Sequence, residues 1–179
     1  MKAPLTQILL GLCMAFSFSS FSQELEISPS EPISQSAIDS DRHKILLAAV
    51  KATKLDDVLD SSGPFTVFAP SDAAFERFSK TKMEQLLNAQ DKSELKSLLS
   101  YHIVAGQLTA SRILRAMCRG NGTASFTTIQ GKKLIAHLDG YDIVLTDPVG
   151  NTARITTADL NLKNGIIHEI DSVILPTQM

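Results

Sequence analysis

The chain has 179 residues, 44% of them hydrophobic, with 17 basic and 19 acidic side chains and a formal net charge of −2. That length gives room for one ordinary domain with a real core and a short tail. A near-neutral balance with no basic block excludes nucleic acid and an anionic membrane surface as expected partners.

The first residues read as a separate unit. Lys2 precedes the apolar run "ILLGLCMAFSF" and then the small residues "SSFSQ", which is the pattern of a secretory signal cut after Ser22. Leu12 stands before Cys13 where a lipid acceptor site would need a small residue, so lipidation is not expected. Removal of 1–22 takes away Lys2 and no acid, which moves the charge to −3. One cysteine, Cys118, remains, so no internal disulfide can form. No second apolar run is long enough to span a membrane. The expected product is soluble outside the cytoplasm, periplasmic or extracellular.

Residues 23–40, rich in Ser, Pro and acids, read as a flexible tether, with a single domain over 41–179. Ile45, Leu46, Ala49 and Val50 recur at helical spacing, and Leu55, Val58 and Leu59 predict a second short helix. "FTVFA" predicts a strand that ends at Pro70, after which Ser71 or Asp72 caps a helix carrying Phe75 and Phe78. Further helices are predicted at "KMEQLLN", at "DKSELKSLLSY" with Asp91 and Glu94 at capping-box spacing, and at "TASRILRAM". "HIVAG" reads as short and extended. After Cys118 come the strands "TASFTTI", "KKLIAHL", "DIVLT", "ARITTAD" and "GIIHEIDSVIL", separated by turn chemistry. Helices in the first half and antiparallel strands in the second predict an α+β fold.

The residues that could carry chemistry have architectural readings. Asp72 has no nucleophile, elbow motif or second carboxylate beside it, and reads as a helix-start carboxylate that satisfies orphan amides. His43, His102, His137 and His168 show no ligand spacing, so no metal and no cofactor is expected. His102 and His168 lie in apolar strands and read as hydrogen-bonded core histidines. "DLNLKNG" mimics a calcium loop but misplaces the glycine and lacks the closing Glu, so it reads as a turn. Cys118 reads as an unpaired thiol open to adventitious dimerisation, the chain being otherwise a monomer or weak oligomer. "NGT" at Asn121 is a glycosylation acceptor where the host glycosylates exported proteins. Asn164 and Gly165 predict a tight turn. The strand after it places Ile166, His168 and Ile170 on one face, with the His168 imidazole inside and neutral.

Three segments, "TVFAPSDAAF" at 66–75, "YHIVAGQLTA" at 101–110 and "NGIIHEIDSVILP" at 164–176, resemble in order and spacing the signature segments of the fasciclin domain. The likeness covers about 40–177, and a single copy behind a signal segment is similar to the small secreted fasciclin-like proteins of bacteria. It implies a twisted β-sandwich or wedge flanked by helices, no catalytic centre, and an adhesion or extracellular interaction role. It carries Thr66, Asp72, Phe75, Asn164, Gly165 and His168 as structural motif residues. It also carries Tyr101 and His102, with Leu98, Leu99, Ile103 and Val104 beside them, as the candidate interaction element. Ser71 and Ala105 depart from the usual Thr and Pro.

Three functions follow for comparison. The first is a binding module for a cell surface, a matrix polysaccharide or another protein, in which the Tyr101 ring is exposed or lines a groove. The second is a carrier of an apolar molecule such as a carotenoid or lipid, which needs a groove of Met83, Leu86, Leu87, Ile113, Leu114 and Met117. The third, a hydrolase, lacks a nucleophile–base pair. His102 is expected to be buried and bonded to Asp72 or its loop.

Overall fold

A computed structural model describes residues 32–33 and 42–176. The expected signal segment 1–22, most of the expected tether and the last three residues lie outside the described residues.

Apolar spacing builds α1 (Lys44–Thr53) and α2 (Leu55–Ser61), divided at Lys54, whose left-handed backbone (φ 55°) ends one helix and starts the next. The apolar run "FTVFAP" forms β1 (Phe65–Pro70), every residue of which is buried. Ser71 then caps α3 (Asp72–Asn88), its Oγ accepting from the Ala74 amide. The two helices expected here form one element broken at Ser79, where the backbone leaves helical geometry and Ser79 Oγ accepts from the Lys82 amide to restart the helix. Next comes α4 (Ser93–Tyr101). Asp91 folds onto the amide and hydroxyl of Ser93 instead of forming the expected capping box, and those hydrogen bonds hold its carboxyl below the usual range.

The chain continues through β2 (Ile103–Ala105), α5 (Ala110–Arg119), β3 (Thr123–Thr127), β4 (Lys133–Asp139), β5 (Asp142–Thr146), β6 (Thr152–Leu162) and β7 (Gly165–Ile170). These strands and β1 form one sheet in the order β2-β1-β7-β6-β5-β4-β3. All pairs are antiparallel except β1 and β7, which run parallel from Phe65↔Gly165 to Pro70↔Ile170. A bridge between Val104 and Thr128 links the two outer edges, so the sheet curls back on itself. The α+β fold, with helices mainly first and antiparallel strands later, is as the sequence predicts.

β1 and β7 form the wall between two cores. On one side Phe65, Val67 and Ile167 pack against the helices through Leu46, Leu95 and Leu98. On the other, Phe68 and Ile170 face the inside of the curled sheet with Leu134 and Leu145. Apolar packing on both faces explains why these strands read as nearly continuous hydrophobic runs. Of the stretch expected to be a tether, Pro32 and Ile33 are described. Ile33 is 2% exposed in the helical core, and its amide donates to Asn164 Oδ1 at 2.8 Å.

The expected Asn164–Gly165 turn lies one residue earlier, because Leu162 pairs with Gly165 and Lys163–Asn164 form the turn. Gly165 serves a different need: a Cβ there would sit 2.0 Å from the Phe65 carbonyl, so only glycine lets β7 lie this close to β1. Asn164 is a tie. Its amide donates to the Leu59 carbonyl at 2.8 Å while its Oδ1 holds Ile33.

Candidate functional site

The segment nominated for interaction lies at the centre of the molecule. Leu98, Leu99, Tyr101, His102, Ile103 and Val104 are all buried. The expectation of an exposed or groove-lining Tyr101 ring does not hold. The ring is 0% exposed inside the curled sheet, and its hydroxyl donates to the Lys133 carbonyl at 2.7 Å. Burial pushes its pKa well above that of a free tyrosine. α4 ends at Tyr101 and the chain turns at once into β2, so consecutive residues enter the two cores.

His102 is 1% exposed and uses both ring nitrogens. Nε2 accepts the Ile174 amide at 3.3 Å, which leaves Nδ1–H to donate to the Leu98 carbonyl at 2.9 Å. The imidazole is therefore neutral, and burial pushes its pKa down to about 4. Its partners are not Asp72 or the loop around it, as the sequence reading expected, but the end of its own helix and the segment after β7.

His168 is buried and neutral as expected, in the opposite tautomer. Nδ1 accepts the Asp159 amide at 3.2 Å, so Nε2–H donates to the Leu108 carbonyl at 2.7 Å. Its ring stacks on Phe68 with centroids 5.6 Å apart, and burial lowers its pKa. Asp159 stands at a bulge of β6 with φ 61°, and its Oδ1 accepts the Ala110 amide at the start of α5. Thr66 joins the same network: Oγ1 donates to the Gly106 carbonyl at 2.6 Å and accepts the Leu108 amide at 2.8 Å. Thr66 and His168 thus hold the loop that leads into α5.

Asp72 has the architectural role expected of it, at a helix other than its own. Its two oxygens accept the amides of Ile45 at 2.8 Å and Lys44 at 3.1 Å, closing the amino end of α1. Phe75, one turn further on, is buried in the helical core. A second structural carboxylate, Asp147, escaped the sequence reading. It is 4% exposed and accepts the amides of Val149, Asn151 and Leu175 as well as the Asn151 side chain. "DPVGN" announced a turn but gave no sign that its first residue would also grip the chain beyond β7.

The six residues nominated for a carrier's groove do not share one groove, although Met83 and Leu87 line the same small cleft on the helical side. Met83 and Leu86 belong to the helical core, Ile113 and Met117 to the core inside the sheet, and Leu114 is exposed. Cys118 is exposed. Among the described residues no group of three His, Cys, Asp or Glu could hold a metal ion, and no helix is long and apolar enough to cross a membrane. Open grooves mark the surface, among them a small one of about 240 Å³ between Ile45 of α1 and Phe75, Met83 and Leu87 of α3. One of about 450 Å³ lies between Arg77 and Phe78 of α3 and the Gly150–Thr152 loop, and one of about 370 Å³ lies between α5 and Phe126 of β3.

This scaffold has known counterparts. The fasciclin domain model matches residues 41–176, and the chain belongs to the fasciclin domain family. Protein sll1483 of Synechocystis is 34% identical over 140 residues, 78% of this chain and 71% of that protein. The cell surface glycolipoprotein MPB83 of Mycobacterium bovis is 29% identical, the match covering 82% of this chain and 61% of that one. Human periostin is 30% identical over 72% of this chain, which spans only 14% of periostin. Among solved structures, a FAS1 domain pair from the insect cell adhesion molecule fasciclin I superposes with a TM-score of 0.70 at 18% identity, over 82% of this chain and 51% of that one.

Proposed function

We propose that the chain is a non-enzymatic, exported interaction module that engages a cell surface, a matrix polysaccharide or another protein. The observation that carries this reading is the use of both buried imidazoles. In His102 and His168 each ring nitrogen is already committed to backbone, so neither retains a lone pair or proton for substrate. Asp72 and Asp147 likewise spend their oxygens on amides. A mycobacterial relative is by name a cell surface protein, and the matching fold comes from a cell adhesion molecule, which supports the same reading.

The test is purification from the secreting cell with mass spectrometry of whatever stays bound, alongside retention of the protein on washed cell envelopes. The expected outcome is colourless protein that coats envelopes saturably. A stoichiometric apolar pigment or lipid would replace this reading with that of a carrier. Failure to be retained on any envelope or polymer would overturn it.

A further inference from the structure

The groove over α5 has a charge character that the whole-chain balance hides. Between Glu94 and Asp139 the sequence holds Lys96, Arg112, Arg115, Arg119, Lys132 and Lys133 and not one acid, in a chain whose net charge is negative. Arg112, Arg115 and Arg119 stand at i, i+3 and i+7 on α5, within about 60° of arc, so the three guanidinium groups share one exposed face.

Among the described residues no carboxylate pairs with any of them. Arg112 spends one N–H on the Gln107 carbonyl and Arg115 its Nε–H on the Ser111 carbonyl, which orients the forks and leaves most of their donors outward. Arg112 also lies in the first turn of α5, which holds no acid, where a cation opposes the helix dipole. Among the described residues, its one side-chain hydrogen bond within the fold is that to the Gln107 carbonyl.

The groove of about 370 Å³ between these arginines and β3 is floored by Leu108, Ala116 and Phe126, all half-buried. We propose that this cleft binds an acidic polysaccharide, with sugar rings against Phe126 and their carboxylate or sulfate groups in the arginine forks. The proposal deepens the binding-module reading and rests on it. A planar carboxylate, or two terminal oxygens of a tetrahedral sulfate, match the guanidinium fork bidentately, which a lysine surface would not offer. The apolar groups are recessed in the floor and do not protrude, so they suit a ring entering a cleft and not insertion among lipid tails. Three cations on an otherwise acidic protein also fall short of the broad basic surface that tracks a nucleic acid backbone.

The test uses the full chain and alginate, a polyuronate, with neutral dextran as control. Expected is alginate binding that weakens steeply with salt, with no retention on dextran. The triple variant Arg112→Gln/Arg115→Gln/Arg119→Gln should bind at least about tenfold more weakly with an unchanged melting temperature. A variant with the same charge change at exposed distant sites, Lys51→Gln/Lys80→Gln/Lys163→Gln, should stay within about twofold of the parent, which separates a site from bulk charge. Phe126→Ala should weaken binding while leaving its salt dependence in place.

Absence of alginate binding, or equal loss in both triple variants, overturns the proposal. So does tighter arginine-dependent binding to phosphatidylglycerol vesicles or single-stranded DNA, which would assign the groove to that class. If the arginine variant coats envelopes as the parent does, the groove proposal fails while the module reading stands.

Discussion

Asp72 closes the amino end of a helix that begins 28 residues upstream, a duty normally met by the residue next to that end. His43, which occupies the cap position of α1, makes no side-chain cap bond. Asp72→Ala should therefore destabilise the protein by about 1–2 kcal/mol, and speed hydrogen exchange at the Lys44 and Ile45 amides more than at the start of α3. Asp72→Asn, which keeps one acceptor, should cost less. Exchange lost mainly in α3 would contradict the cross-helix cap.

The neutral histidines carry a pH signature. His102 has a pKa of about 4 in the fold, against a value near 6.5 for the unfolded chain. The unfolded state therefore takes up the proton first. The contribution of this residue is fully present above about pH 6.5 and is lost progressively as pH falls toward 4. On the order of 3 kcal/mol is at stake at His102, and His168 and His43 shift in the same direction through burial. Urea unfolding between pH 7.5 and 4.5 should show this decline, with a shallower slope in His102→Gln, which cannot titrate. A parent profile that stays level across that range would contradict the neutral buried ring.

Among the elements, the contact between β1 and β7 is the least forgiving. Gly165→Ala must push the strands apart, since no rotamer moves a Cβ away from the Phe65 carbonyl. A loss of about 3 kcal/mol or more is expected in thermal unfolding. Gly140→Ala, with φ 62° and open space around its Cβ, should cost only the left-handed strain of about 1 kcal/mol. Equal losses would mean that conformation and not proximity makes glycine necessary at 165.

Most elements were legible in the sequence because each writes its own period or turn chemistry locally. The Ser79 break was half legible, as two helices in place of one interrupted helix. The parallel pairing of β1 with β7 was not legible, since nothing in either run names its neighbour. The partners of Asp72 and His102 were hidden for the same reason: a cap or hydrogen bond supplied from across the fold leaves no mark on the residues nearby. Tyr101 misled because an amphipathic ring at the junction of a helix and a strand suits either side of the protein surface. The arginine stripe was readable at helical spacing, but the whole-chain balance concealed it.

At the scale of the molecule, the two cores are bound by ties of long reach, and Ile33 extends them ahead of α1. Starting the chain at residue 41, or replacing Ile33 by Ala, should cost about 2 kcal/mol or more by emptying a buried site; truncation also frees Asn164 Oδ1. Urea midpoints of the two forms against the parent provide the measurement, and an unchanged midpoint would remove Ile33 from the core. The parallel seam between β1 and β7 has a further consequence, in time. The first strand of the domain has the last strand of the domain as its partner, and the segment after β7 is gripped by Asp147 and His102. A nascent chain can form its helices early, but the wall between the two cores has no second half until residue 165 and beyond are available. A chain still lacking that stretch holds its helices without the wall they pack against, so the domain commits to its shape only when its closing strand is in place.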